Sequence, residues 1–335
     1  MTTMTTPAVR AADPGTVRVT VGVPTYRRPE VLRALLPLLL DQVREVSAAG
    51  SRFHADVLVV DNDPDGSAAD VVAAVPGVRY VAEPTPGIAA VRNRALDEAA
   101  DARVLAFIDD DERPADGWLA HLLGTWADTG AAAVSGRVLA EYAGEPDPWI
   151  RAGEFFVRRR MATGTEIDAA ACGNLLLDLD QVRASGVRFD ASLGLSGGED
   201  TLFSRRLALA GGRMVWCDES AAVDQVPAAR MTRAWVRIRA CSHGNSTVLV
   251  DLRLATGARS RLVARARGAV KGVLCIAGGA VRWGWGLAGR SLRHQARGAR
   301  YVVRGVGMVG GASGFMYEEY ARSGRRWQRA RGAAR

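Results

Sequence analysis

The feature that most constrains this chain is an alternation over roughly its first third, where short β-branched runs closed by turn residues take turns with segments of helical periodicity. The run "VRVTVGV" (residues 17–23) reads as a strand ending at Pro24 and Thr25. Pro29 and Glu30 then open a helix whose apolar positions, Val31, Leu32, Leu35, Leu36, Leu39 and Val43, keep helical spacing. A second strand, "ADVLVVDND" (55–63), closes in a Pro-Asp-Gly turn and leads to a short helix over 67–75. "VRYVAE" (78–83) is a third strand, followed by a "PTPG" turn and a helix over 88–100, and "VLAFI" (104–108) is a fourth. Strands and helices at this spacing predict a parallel, doubly wound α/β sheet. Ligands of such sheets sit in the crevice beyond the carboxyl ends of the strands. Thr25 and Tyr26, Asp61 to Asp63, Glu83, and Asp109 to Asp111 all fall at those ends, so one rim gathers the acids.

Farther along, "AACGNLLLDLD" (170–180) reads as a strand entered through Gly173 and Asn174. Residues 195–212 read as a helix with Glu199 and Asp200 in its first turn and a Gly-Gly stop, and residues 213–223 as extended. Residues 1–16 have neither an apolar core nor a basic start, which makes them a terminal tail and not a signal peptide, and implies a cytoplasmic protein. A core of 17–250, in halves 17–115 and 116–250, then precedes a distinct region, 251–335. At 48% hydrophobic residues the chain can fill a sizeable core. Its four cysteines, Cys172, Cys217, Cys241 and Cys275, have no metal-ligand spacing and read as ordinary small residues.

Three segments carry potential chemistry. In "FIDDDERP", Asp109 and Asp111 alternate on an extended loop and can reach one divalent cation of the magnesium or manganese kind, which takes one or two carboxylates plus substrate phosphates; a solvated acidic loop is the competing reading. Glu199 and Asp200 follow Ser-Gly-Gly. Acids in a first helical turn are stabilised by the dipole, and a carboxylate on a glycine turn is also placed to act as a general base. "PGIAAVRNRAL" sets Arg92 and Arg94 in the first turns of a helix after a glycine, where guanidinium and amides suit a phosphate, although surface arginines are common.

Together, "VGVPTYRRPE", "VLVVDNDPDG", "PTPGIAAVRNRAL", "FIDDDERP", "GNLLL", "SGGEDTLFSRRLALAGG" and "RMTRAWVRIRACSHGNS" resemble, in order and from about residue 17 to 247, the family 2 glycosyltransferases. These are inverting, nucleotide-sugar-dependent enzymes of the GT-A fold, a Rossmann-like, mostly parallel α/β sheet, and the bacterial members that build cell-surface polysaccharides are the most similar. The resemblance implies a glycosyltransferase moving sugar from a nucleoside diphosphate sugar, by family habit a UDP-sugar, to an acceptor hydroxyl. It implies that Pro24, Thr25 and Tyr26 surround the base, that Asp61 binds base or ribose, and that Arg92 approaches the diphosphate. Asp111 would be the direct ligand of Mn2+ or Mg2+, with Asp109 or Asp110 nearer the sugar and ribose and Asp109 a second candidate ligand. Asp200 would be the catalytic base beside Glu199, with Gly173 and Asn174 on the acceptor side. Where relatives carry His or Glu this chain has Asp224 and Gln225, and His243 is a further candidate for the diphosphate or metal. A sugar-phosphate nucleotidyltransferase shares sheet and acids but needs a glycine-rich pyrophosphate loop after the first strand, and "GVPTYRRPE" is not one. A non-catalytic membrane-associated scaffold would have no use for both acid clusters.

The net charge of +8 hides a strong asymmetry. From Asp251 onward there are 18 basic residues against three acids, so an acidic body carries a basic helical extension. Over 260–289, Leu262, Ala266, Val270, Val273, Leu274, Ala277, Val281 and Trp285 share one broad helical face. Within 260–289 the longest uncharged run, 272–281, is far short of the roughly 20 residues that span a bilayer. A basic amphipathic segment with Trp283 and Trp285 fits an anionic membrane interface instead, at the inner face of the plasma membrane. Nucleic acid is a poorer partner, because no recognition motif is present and the apolar face is too broad. The acceptor is then expected to be a lipid-linked saccharide, with a soluble natural product as the rival and simple packing of these helices on the core as the plain alternative.

Overall fold

The computed structural model describes residues 15–193 and 195–318, together with the backbone of 327–329. Most of the expected tail, residues 1–14, lies outside the described residues. In chain order the strands and helices are β1 (Val17–Thr25), α1 (Pro29–Val46), β2 (Phe53–Asp61), α2 (Ala69–Ala73), β3 (Val78–Ala82), α3 (Ile88–Glu98), β4 (Val104–Ile108), β5 (Glu112–Pro114) and α4 (Trp118–Thr129). There follow β6 (Ala133–Tyr142), α5 (Pro148–Gly153), β7 (Asn174–Asp178), α6 (Leu179–Ser185), α7 (Glu199–Leu209) and β8 (Met214–Val226). Three long helices, α8 (Arg233–Leu254), α9 (Gly257–Ala288) and α10 (Leu292–Ala312), then lead to the short strands β9 (Phe315–Tyr317) and β10 (Trp327–Arg329).

One sheet runs in the order β3-β2-β1-β4-β7-β6-β8-β5. Its first four strands are parallel, as the alternation predicts, and β6 and β8 are parallel too. Antiparallel pairing enters where β7 meets β4 and β6, and where β5 meets β8. Alternate residues of the central strands supply two cores. Val57 and Val59 of β2 point with Val21, Val23 and Ile108 toward α1 and α4, whereas Leu58, Val60, Leu105 and Phe107 point toward α3, α6 and α7. Residues buried on both faces explain the nearly continuous apolar runs in these strands.

Several expected boundaries move by a few residues, and two of the shifts have a clear cause. The strand expected over 170–180 is confined to β7, because the Asp178 carboxylate accepts from the Gln181 amide and caps α6 from Leu179. The helix expected from 195 begins at Glu199. Gly197 and Gly198 take left-handed φ values of 75° and 89°, and a Cβ at Gly198 would lie 3.0 Å from the Ser246 Cβ. That turn presses α7 against α8 and fixes where its two acids begin.

The helical extension is packed in an unusual way. Every buried residue of α9 is a glycine: Gly268, Gly272, Gly279 and Gly286. Gly272 and Gly279 abut Gly305 and Gly298 of α10, where an added Cβ would stand 2.9 and 2.8 Å from the opposing carbonyl oxygens. Gly244 of α8 and Gly307 of α10 bring those two helices closer still, against the carbonyls of Arg304 and Cys241. Backbones meet directly along the seam, with Ile276 and Val309 packed beside them.

Candidate active site

The carboxyl ends of β1, β2 and β4 meet the first turn of α7 at one rim, so acids some ninety residues apart in sequence share a cleft. Arg92, in the second turn of α3, joins them. Its Nη1 donates to Glu199 Oε1 at 2.6 Å, and its Nη2 lies 3.5 Å from Asp109 Oδ1. Arg92 and Glu199 are both buried. Burial alone would lower the Arg92 pKa, but the surrounding groups, Cys172, Glu199, Asp109 and Asp200 among them, raise it and hold the guanidinium charged. Burial, reinforced by Asp200, pushes Glu199 up to about 7 against the pull of Arg92. Asp200 is only half-buried, and its Oδ1 accepts from the Thr201 amide at 2.6 Å. Arg94 points elsewhere, pairing with Glu98 along its own helix.

The three aspartates after β4 differ from one another. Asp110 is buried, accepting from Thr25 Oγ1 at 2.8 Å and from Arg28 Nη1 at 2.9 Å; desolvation raises its pKa to about 6, opposed by Arg28. Asp111 Oδ2 receives two guanidiniums, Arg28 at 3.1 Å and Arg230 at 2.8 Å. Asp109 leans over Gly173, and its carboxyl is raised by desolvation and by Asp111, Asp200 and Asp224, against the effect of Arg92. A fourth acid, Glu112, is buried beside Gly173 and lies opposite Asp224 in the β5–β8 pairing. Desolvation and the charges of Asp109, Asp111 and Asp224 hold its pKa well above the usual carboxylate range. Among the described residues, Glu112 Oε2, Glu199 Oε2, Asp224 Oδ1 and Arg92 Nε have no hydrogen-bond partner.

Other expected residues take supporting positions. Asp61 is fully buried and accepts from the amides of Asp63 and Ala68, both at 2.9 Å, and from the Tyr80 hydroxyl at 3.2 Å. Its carboxylate therefore orders the loop after β2 and presents no surface to a ligand. Burial and the Asp61 charge push Tyr80 up to about 12. Asn62 accepts from the Gly87 amide and donates to the Glu83 and Thr85 carbonyls, which fixes the turn before α3. Pro24 and Thr25 are buried at the end of β1, while half-buried Tyr26 carries the Arg27 guanidinium 5.3 Å from its ring centre. Asn174 is buried and bound to the Trp118 indole and the carbonyls of Arg137 and Ser220, so it holds α4 to the sheet. His243 lies within α8, not in a closing loop. Burial, together with Arg239, Arg304, Arg158 and Arg300, depresses its pKa to about 3.

Sequence reasoning missed Arg28, Arg230 and Glu112. Arg28 had a signal, because "TYRRPE" sets two arginines at a strand end facing the acid rim. Arg230 opens the segment "RMTRAWVRIRACSHGNS", but nothing in sequence points to its partners, since only folding brings the turn after β8 onto Asp111 and within 3.7 Å of Asp224.

The fold is of the GT-A class, a doubly wound sheet with acids gathered at its switch point and a helical extension. The family model described as Glycosyl transferase family 2 matches residues 20–178. The succinoglycan biosynthesis protein ExoM of Rhizobium meliloti (strain 1021) is 37% identical over 239 residues, covering 69% of this chain and 74% of that protein. The chain belongs to glycosyl transferase family 2. Two solved structures share the fold. The mannosyltransferase PcManGT from Pyrobaculum calidifontis, in complex with GDP-Man and Mn2+, has a TM-score of 0.57 at 19% identity over 88% of this chain and 87% of its own. TarS from S. aureus has a TM-score of 0.50 at 14% identity over 74% of this chain, which spans 42% of the TarS chain.

Proposed function

We propose that this glycosyltransferase moves a sugar from a nucleoside diphosphate sugar, a UDP-sugar in the first instance, to a hydroxyl of a saccharide acceptor with inversion, and that the reaction depends on Mn2+ or Mg2+. The observation that carries the reading is the Arg92 bridge, which brings Asp109 and Glu199 to the same cleft and leaves Asp200 beside them without a guanidinium partner in that bridge. Asp200 takes the proton of the acceptor hydroxyl as that oxygen attacks the anomeric carbon from the face opposite the diphosphate. Glu199, anchored by Arg92, holds the first turn of α7 so that its neighbour keeps its position. Pro24, Thr25 and Tyr26 border the nucleotide, and Asp61 serves it indirectly by shaping the loop after β2. Asp110 faces the ribose side, and Gly173 leaves room for the sugar between Asp109 and Glu112.

The residues suit a divalent cation of this kind. Among the described residues no three His, Cys, Asp or Glu side chains are disposed to enclose an ion by themselves. Magnesium and manganese sites of this type need only one or two carboxylates, completed by substrate phosphates. Asp111, and Asp109 beside it, would hold the ion, and the two guanidiniums on Asp111 Oδ2 mark the point of greatest demand for positive charge. When bound, the ion would supply charge neutralisation for the departing diphosphate. Arg92, Arg28 and Arg230 lie ready to add to that neutralisation. His243, ringed by arginines, is better suited to the packing of α8 than to a cation.

A relative in succinoglycan biosynthesis supports an acceptor in cell-surface polysaccharide synthesis, and a lipid-linked saccharide at the inner membrane face accords with the basic extension. Calorimetry with UDP and GDP, with and without Mn2+, tests the donor side: cation-dependent binding of one of them is expected, and no binding of either would refute it. Asp200→Asn should lower transfer by about 10²–10⁴-fold with nucleotide binding intact. Loss of nucleotide binding in that variant would mean that Asp200 is not the base.

A further inference from the structure

We infer that the outward face of α9 is a docking surface for an anionic lipid bilayer, on which the protein lies without crossing it. The inference deepens the reading of a lipid-linked acceptor but stands on its own observations, and its test has no catalytic readout, so either can fail without the other.

The glycine seam leaves α9 with most of its large apolar side chains facing away from the protein. Val263, Val270, Leu274, Val281 and Trp285 are 42%, 59%, 66%, 60% and 75% exposed. At 100° per residue these five fall within a stripe roughly 60° wide, and the four seam glycines lie roughly 150° around the helix from it. Leu262 and Val273 extend the apolar surface on one side. The stripe therefore cannot be a core face that α10 happens to leave partly open, because α10 packs on the opposite side.

Charge decides what covers it. Neither α9 nor α10 contains an acid, whereas α9 carries Arg259, Arg261, Arg265, Arg267, Lys271 and Arg282 and α10 four further arginines. Exposed Arg259 borders the stripe on one side, and exposed Arg267 and Lys271 border it on the other. A second copy seated here would oppose cation to cation. An anionic leaflet would meet the same cations with opposite charge, while the apolar stripe enters the boundary between headgroups and acyl chains. A helix of 32 residues is about 48 Å long, enough to span if it were apolar throughout, yet among the described residues no helix is long and apolar enough to cross a membrane. Lying in the plane of the interface satisfies both the stripe and its cationic borders.

Co-sedimentation of the full chain with phosphatidylcholine vesicles, with and without phosphatidylglycerol, tests this. Binding is expected only with phosphatidylglycerol and should weaken with added salt. Leu274→Asp with Trp285→Asp should cut it roughly tenfold or more, with an unchanged thermal midpoint because both positions are exposed. In the unaltered chain, acyl-chain-brominated phosphatidylglycerol should quench a component of tryptophan emission that Trp285→Phe removes. Equal sedimentation of the double variant, or brominated lipid without effect on the Trp285 component, would overturn the inference. So would light scattering that finds a dimer which the aspartates dissociate, since the face would then belong to a second copy.

Discussion

Replacing Arg92 by methionine removes the one cation among the described residues that contacts both Glu199 and Asp109, and its cost should depend on pH in a way that a packing defect would not. Glu199 sits near 7 in the folded protein even with Arg92 beside it, against about 4.3 for an ordinary glutamate. The folded state therefore holds that proton more tightly than the unfolded chain. The strain of keeping Glu199 ionised is absent below about pH 4, grows as pH rises toward 7, and is complete above it, at about 4 kcal/mol. Without Arg92 the folded pKa climbs further and the window extends upward. Arg92→Met should accordingly cost about 3–5 kcal/mol at pH 8, the usual penalty for a buried charge stripped of its partner, and clearly less at pH 5, where Glu199 can take up a proton. Adding Glu199→Gln removes the orphaned charge, so the double variant should be more stable at pH 8 than Arg92→Met alone. Urea unfolding followed by circular dichroism at both pH values measures all four proteins. Equal losses at pH 5 and pH 8, or single losses that simply add in the double variant, would refute the electrostatic account.

Gly173→Ala would set a Cβ 2.7 Å from Glu112 Oε1 and 3.2 Å from Asp109 Oδ2, so it should cost about 1–3 kcal/mol by thermal melting and lower kcat more than it weakens nucleotide binding. Thr25→Val removes a donor that favours the charged form of Asp110; the pKa of that carboxyl should rise above about 6, and calorimetric titration between mildly acidic and neutral pH should show the acid limb of nucleotide binding move to higher pH.

The parallel half of the sheet was legible because β1, β2 and β4 are buried on both faces and α1 has one apolar side, so the periodicity of 17–108 is nearly unambiguous. Acids at strand ends were legible for the same reason, since a carboxylate after a buried run has few places to go. The roles were less so. Asp61 and Asn174 look in sequence like groups turned toward a ligand, yet Asp61 is enclosed by amides of its own loop, at Asp63 and Ala68, and Asn174 by the distant carbonyls of Arg137 and Ser220. Arg230 was invisible because its partner stands 119 residues away. The apolar face of α9 was read correctly as a face, but periodicity gives no direction. What turns it outward is the row of glycines on the other side, a packing choice that hydrophobic patterning cannot register.

The two guanidiniums on Asp111 also bear on how such a site would select its cargo. On the proposed reading, a bare cation that reached Asp111 would have to evict Arg28 and Arg230 and leave them facing it, two positive charges against a doubly charged ion. A cation arriving with a diphosphate brings the anion those arginines then turn to, so the exchange is neutral. The rim would work as an ion exchanger that is shut to free metal and opened by the complete substrate, and the same arginines would keep the empty enzyme folded when no substrate is present.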